Sequence, residues 1–340
     1  MSTSKIQLEN EFTTLLKYRD SIYATDLMVC AITHLDLFTL LKRAPCDFNE
    51  ICITLGIEPR PTDVLLTLLK ARGLLECQDG VYHLTDAANV FLVHDHNDSL
   101  VPYFNSIKNR PQCLEFLDVL KTGKPAGWSS KKGGTNWLDS MRDPNFAQAF
   151  TDAMDSRGKL LAGKLANELN LQHNIKLLDI AGGSGIYACH IVEKHSQIEA
   201  AVLEIPPVDA AALESIQKKG YQNKVAVVSG DMFKNLPEGF DIHLFANVFH
   251  DWDIDDVQRL VAKSFERLDS TGCIIVFDAH LNSKKDGPLP VAEYSCLLMH
   301  STMGRCYSIH EISEMLLRVG FYDVAVKPVF ADRTAIIGWK

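Results

Sequence analysis

From residue 175 onward, short apolar runs rich in β-branched residues alternate with stretches of helical period, and this rhythm restricts the fold more than any other feature. Strands are predicted at 176–180, 200–204, 224–229, 242–247, 272–278, 322–328 and 334–338, with helices at 185–195, 208–219, 253–268 and 310–319. Such alternation predicts an α/β fold built on a doubly wound, mostly parallel sheet, with ligands taken outside the carboxyl ends of its strands.

The remaining sequence is organised differently, and 340 residues are more than one hydrophobic core usually holds. Residues 1–43 read as helix, with apolar stripes through Leu8, Phe12, Leu15, Leu16, Ile22 and Tyr23 and through Leu27, Ala31, Leu35, Phe38 and Leu41. These stripes must bury against the same chain or a second copy of it. In 47–93, Asp47 is placed to cap a helix ending at Gly56. The stretch 59–61 breaks the chain, and Pro61-Thr62-Asp63 opens a second helix, 64–72, which Gly73 stops. Asp79-Gly80 between two alternating runs signals a tight hairpin, and Thr85 caps the next helix. Helix, turn, helix and hairpin together form a winged-helix pattern, which serves either DNA binding or packing between copies. Residues 1–110 carry ten Lys and Arg against fourteen Asp and Glu, and the whole chain carries −9, so a grip on phosphate backbones is not expected. The expected division is a dimerisation domain at 1–100, a helical connector at 101–160 and a catalytic domain at 161–340. No apolar run reaches the length of a membrane span, the N-terminus lacks an apolar signal core, and the nine cysteines form no CxxC pair. A cytoplasmic protein without a bound metal, nucleic acid or membrane is therefore expected.

Three turns carry the ligand signal. Asp179-Ile180-Ala181-Gly182-Gly183-Ser184-Gly185 closes the first strand, where glycines permit a tight turn and close approach to the backbone. That turn suits a dinucleotide, a nucleoside cofactor or close packing alike. Glu204 ends the second strand, where a carboxylate can accept from ribose hydroxyls. Asp231, Met232 and Phe233 follow the third, offering an acceptor for an adenine amino group and two side chains to sandwich the base. The glycine spacing does not fit the GxGxxG dinucleotide fingerprint.

With Asn247-Val248-Phe249-His250-Asp251-Trp252, Phe150-Thr151-Asp152-Ala153-Met154 and Gly304-Arg305, these motifs make the chain resemble S-adenosylmethionine-dependent O-methyltransferases of the plant caffeate/hydroxyindole type and their bacterial natural-product relatives. The likeness spans nearly the whole chain. It implies a Rossmann-like class I methyltransferase domain behind a winged-helix region that forms an intertwined homodimer, with S-adenosyl-L-methionine as cofactor. It further implies that Asp179, Gly182, Gly183, Glu204, Asp231, Met232 and Phe233 hold the cofactor. His250 becomes the general base and Asp278 the acid that orients it. Phe104, Trp128, Phe146, Phe150, Met154, Trp252, Met299 and Met303 are expected to line a site for a small, flat, apolar substrate. Departures stand at Ala181, where the family has glycine and the exchange costs little if the backbone angle is ordinary. Others are Glu204 for Asp, Ala246 for the plant enzymes' Lys, and Cys306 for a second Glu flanking the base, a loss for which Arg305 or His280 would have to compensate. The expected activity is O-methylation of a small, aromatic specialised metabolite. Its competitors are cofactor-assisted chemistry without methyl transfer on the same fold, and a winged-helix metabolite sensor.

Overall fold

A computed structural model describes residues 4–126, 141, 143–171 and 175–340. Two compact units emerge, one comprising 1–127 and 281–308, the other 128–280 and 309–340.

In the first unit, helices α1 (Lys5–Asp20), α2 (Ala24–Thr33) and α3 (Leu37–Arg43) lead into β1 (Cys46–Asp47), α4 (Phe48–Leu55) and α5 (Pro59–Ala71). Asp47 and Glu50 form a reciprocal capping box at the start of α4, and Gly56 closes it at φ +63°. Pro61 stands at the opening of the second helix as expected, but Pro59 does not break the chain before it. Both lie in the first turn of α5, where backbone N–H groups have no intrahelical acceptor to lose. Strands β2 (Leu75–Gln78) and β3 (Val81–Leu84) form the expected hairpin, with Asp79 and Gly80 both at positive φ, and β1 adds to β3. Helices α6 (Asp86–Phe91), α7 (Val101–Asn105) and α8 (Pro111–Thr122) follow. A later segment, Leu289–Ser301, forms a helix of this unit that packs against α5, α1, α2 and α8. Sequence periodicity passed over it because nine of its thirteen residues are buried, leaving no polar face to mark the helical repeat. By contrast α1 leaves Ile6, Leu8, Leu15 and Tyr18 exposed, so part of its apolar surface stays uncovered among the described residues.

The second unit opens with α9 (Pro144–Glu168) and a seven-stranded sheet ordered β6-β5-β4-β7-β8-β10-β9. Its strands are β4 (Lys176–Ile180), β5 (Glu199–Glu204), β6 (Val225–Ser229), β7 (Ile242–Ala246), β8 (Cys273–Ala279), β9 (Tyr322–Phe330) and β10 (Arg333–Trp339). The first five run parallel, and β10 is antiparallel to both its neighbours. Helices α10 (Ile186–Lys194), α11 (Val208–Lys218), α12 (Ile254–Arg267) and α14 (Ile309–Val319) connect them, the helix Leu289–Ser301 being α13. β4, β7 and β8 are buried almost throughout, the pattern of strands covered on both faces. Because β4 is central and the order reverses beside it, the carboxyl ends of β4, β5 and β7 meet at a switch point, where such sheets take their ligands.

Candidate active site

The turn after β4 folds its glycines around a carboxylate. A Cβ on Gly182 would stand 2.6 Å from the Asp179 Cγ, so no larger residue fits there without displacing that side chain. Asp179 is fully buried; its Oδ2 accepts from the Ala188 N–H at 3.2 Å, and its Oδ1 has no hydrogen-bond partner among the described residues. Burial pushes its pKa up to about 7, against the pull of the Ala188 N–H and with help from the Glu204 charge. Glu204 accepts from the Gly183 N–H at 2.9 Å and the Ile205 N–H at 3.1 Å. Burial raises it to about 7 as well, the two N–H groups opposing the shift. Asp231 accepts from the Phe233 N–H at 2.9 Å; Met232 is buried and Phe233 half-buried. A nucleoside bearing a cationic amino-acid tail fits this donor set: Glu204 for ribose hydroxyls, the Asp179 acceptor for a cation, and a glycine cradle with no room for a side chain.

Ala181 adopts φ +54°, so the alanine in place of glycine does carry a cost. An L-residue in this region loses about 1–2 kcal/mol to crowding of its Cβ. Ala181→Gly is therefore expected to stabilise the protein by about 0.5–1 kcal/mol after the added freedom of the unfolded chain is deducted. Urea unfolding read at equilibrium checks this.

Sequence reasoning missed Asp155, which ties the same turn down from α9. Its Oδ1 accepts from the Ser184 hydroxyl at 2.7 Å and from Lys219 Nζ at 2.8 Å. It comes directly after the motif Phe150–Met154 already singled out, but its partners lie far along the chain.

Beyond β7 the backbone turns through Asn247 at φ +57° into a single 3-10 turn, Phe249–Asp251. This places His250 beside the end of β8. Its Nδ1 lies 2.5 Å from Asp278 Oδ1, both residues being buried. The same Asp278 oxygen accepts from the Ala279 N–H at 2.8 Å. With Nδ1–H donated to Asp278, the lone pair of the ring belongs to Nε2. Asp251 Oδ1 stands 3.7 Å from Nε2, near enough to favour the cationic ring and too far to hydrogen-bond it. Burial alone would lower the His250 pKa, but Asp278 and Asp251 outweigh it and hold it above the ordinary value. For Asp278, burial works upward, and the imidazole overrides it to leave the carboxyl below the usual range. His280, the residue just after β8, is driven down to about 4 by burial and keeps an unpartnered Nδ1 among the described residues.

The eight residues expected to line a substrate site are scattered. Phe146 and Phe150 stack along α9 at 6.4 Å and pack with Met141, Ala147 and Val208, and Met154 is half-buried one turn on. Trp252 meets Phe233 edge-on at 4.5 Å, with the Arg259 guanidinium over the Phe233 ring, so it stands with the Asp231–Phe233 turn. In the first unit Met299 is wholly buried in the core, Phe104 packs on that core, and Met303 is exposed. Trp128 lies outside the described residues.

Comparison with known proteins matches residues 114–322 to an O-methyltransferase domain and 16–94 to an O-methyltransferase dimerisation domain. A 3-hydroxy-5-methyl-1-naphthoate 3-O-methyltransferase from Streptomyces sahachiroi is 27% identical over 315 residues, 92% of this chain and 90% of that one. An L-tyrosine C(3)-methyltransferase from Streptomyces lavendulae is 28% identical over 318 residues, 91% and 85% of the two chains. Among solved structures, an O-methyltransferase family 2 protein from Planctomyces limnophilus in complex with apigenin superposes with a TM-score of 0.86 at 28% identity, covering 96% of this chain and 95% of that one.

Proposed function

The chain belongs to the S-adenosylmethionine-dependent O-methyltransferases that carry an N-terminal dimerisation domain, and from that membership we propose that it methylates a hydroxyl of a small aromatic specialised metabolite, with His250 as general base. The observation that carries this reading is the 2.5 Å contact between His250 Nδ1 and Asp278, which leaves Nε2 as the proton acceptor. The apolar cluster of Phe146 and Phe150 suits a flat ring. The relatives' naphthoate and apigenin are aromatic and hydroxylated in the same sense.

Bound cofactor supplies a methyl group made electrophilic by its sulfonium. Asp179, Gly182, Gly183 and Glu204 would hold it along the β4 and β5 edge, and Asp231, Met232 and Phe233 would frame its base. His250 Nε2 would take the hydroxyl proton of the substrate, leaving its oxygen free to accept the methyl group. Asp278 keeps the ring in the tautomer that can do so, and Asp278 and Asp251 together stabilise the imidazolium that results. The proton then passes to solvent. Holding the two reacting atoms in line supplies up to about 7–11 kcal/mol, so proton removal is the smaller share of the acceleration.

The test is incubation of purified protein with a panel of phenols and S-adenosylmethionine. S-adenosylhomocysteine is expected to appear one-for-one with an O-methyl product. Product without S-adenosylhomocysteine, or a methyl on carbon, overturns the reading. The exposed apolar face of α1 belongs, on this view, to a homodimer. Light scattering is expected to give twice the chain mass, and Leu15→Glu with Tyr18→Glu is expected to shift it toward one.

A further inference from the structure

We propose that His280 accepts a hydrogen bond from the substrate, and that the donor is an O–H or N–H standing ortho or peri to the hydroxyl that is methylated. The inference rests on the reading of His250 as general base. His280 follows β8 directly, at the carboxyl end of the strand. It is 4% exposed, and its Nδ1 has no hydrogen-bond partner among the described residues. Buried polar atoms without partners are rare in native proteins and call for a group that the chain does not supply. Burial takes the pKa of the ring down to about 4, so at neutral pH it carries no charge. A neutral imidazole donates from one nitrogen and accepts at the other. The backbone of Thr334, on β10, receives the hydrogen bond that the ring donates. The unpartnered Nδ1 is therefore the accepting nitrogen, and what it lacks is a donor.

The strand order aims that acceptor at the reacting hydroxyl. Asp278 and His280 stand two residues apart, so their side chains leave the same face of the sheet about 6–7 Å from one another. His250, which follows β7, lies to one side of β8, and Thr334 of β10 lies to the other. The two nitrogens of an imidazole point toward opposite flanks of the ring. With Nε2 turned to β10, Nδ1 looks back toward His250, and the His280 ring feels the charges of both Asp278 and His250. The strands along which the cofactor is placed, β4 and β5, lie beyond β7, so the missing donor belongs to the substrate. His250 Nε2 takes one hydroxyl proton while His280 Nδ1 receives a second hydrogen bond a few ångströms away. That is the span of two neighbouring substituents on a flat ring.

Initial rates of the full-length protein with 2,3-dihydroxynaphthalene, with its monomethyl ether and with 2-naphthol make the test. The three differ only in what stands beside the reacting hydroxyl: a donor, an oxygen without a proton, or hydrogen. The native protein is expected to favour the diol about tenfold or more in kcat/KM over both others, the effect of leaving a buried acceptor unmatched. It is therefore expected to stop after one methylation. His280→Leu is expected to bring the three within about threefold of one another. His280→Asn, whose carboxamide oxygen can stand where Nδ1 stood, is expected to recover a preference for the diol clearly above that of His280→Leu. S-adenosylhomocysteine binding by each variant shows that it has folded. The inference is overturned if the native protein treats the three alike, a water then satisfying Nδ1. It is overturned equally if the preference survives in His280→Leu, or if His280→Asn discriminates no better than His280→Leu. Should the native protein methylate none of the three, it is the assignment of His250 to an aromatic hydroxyl that fails, a result distinct from these.

Discussion

His250→Ala is expected to lower turnover by roughly 10²–10⁴-fold, the range for removing a positioned general base. S-adenosylhomocysteine affinity should stay within about threefold, because the imidazole is assigned to the hydroxyl proton and not to the cofactor. Asp278→Asn should fall in the same direction. An amide beside Nδ1 can donate to it, and the proton then moves to Nε2, the nitrogen that must accept. The pH profile gives the sign. A base works only when deprotonated, so kcat/KM should be lost as pH falls through the His250 pKa. Asp278 and Asp251 hold that pKa above the ordinary histidine value, in spite of burial. The acidic limb is therefore expected above pH 6.5, the unperturbed position. Removing the second carboxylate with Asp251→Asn should move the limb toward lower pH. A limb that stays put in Asp251→Asn, or turnover in His250→Ala equal to the native enzyme, would contradict this role.

Gly182→Ala carries the second large effect. The new methyl would stand 2.6 Å from Asp179 Cγ and 2.7 Å from its Oδ2, so either the carboxylate or the turn must move. Overpacking of this kind costs about 1–3 kcal/mol. Because the displaced group is the one assigned to the cofactor's cationic end, S-adenosylhomocysteine affinity is expected to drop roughly ten- to hundredfold, the same energy expressed as binding. Gly183→Ala is the control. Its Cβ meets nothing within 4 Å, so only the penalty of φ +58° applies. That variant should lose about 1 kcal/mol of stability. Equal losses of affinity in the two variants would refute the Gly182 argument.

The parallel strands of the second unit could be read from the sequence to within a residue or two, since covered strands are near-continuous apolar runs ended by turn residues. The hairpin at Asp79-Gly80 was equally plain, because two successive positive φ angles demand that kind of pair. Helix α13 was not, because burial on nearly every side erases the helical repeat. The start of α5 falls two residues before Pro61, where the sequence places it, because proline ends one helix and begins another with the same letter. The pairing of His250 with Asp278 could be expected from their motifs, and the structure brings the two together. The tie of Asp155 to the β4 turn could not, since its partners Ser184 and Lys219 stand 29 and 64 residues away in sequence. Such pairs are created by the order of strands in the sheet, which periodicity does not encode. The strain at Ala181 was hidden for a related reason: a substitution shows what changed, and only the backbone angle shows what the change costs.

After β8 the chain crosses to the first unit, lays down α13 and only then returns to finish the sheet. A nascent chain released from the ribosome at residue 127 would lack α13, the helix that contributes Cys296 and Met299 to that unit's core. Early completion of its core on the ribosome is thereby denied to the N-terminal segment, which must wait for residue 308. Anyone recombining this enzyme with a relative meets the same constraint: a working chimera has to exchange 1–127 and 281–308 as a pair, through three junctions rather than one.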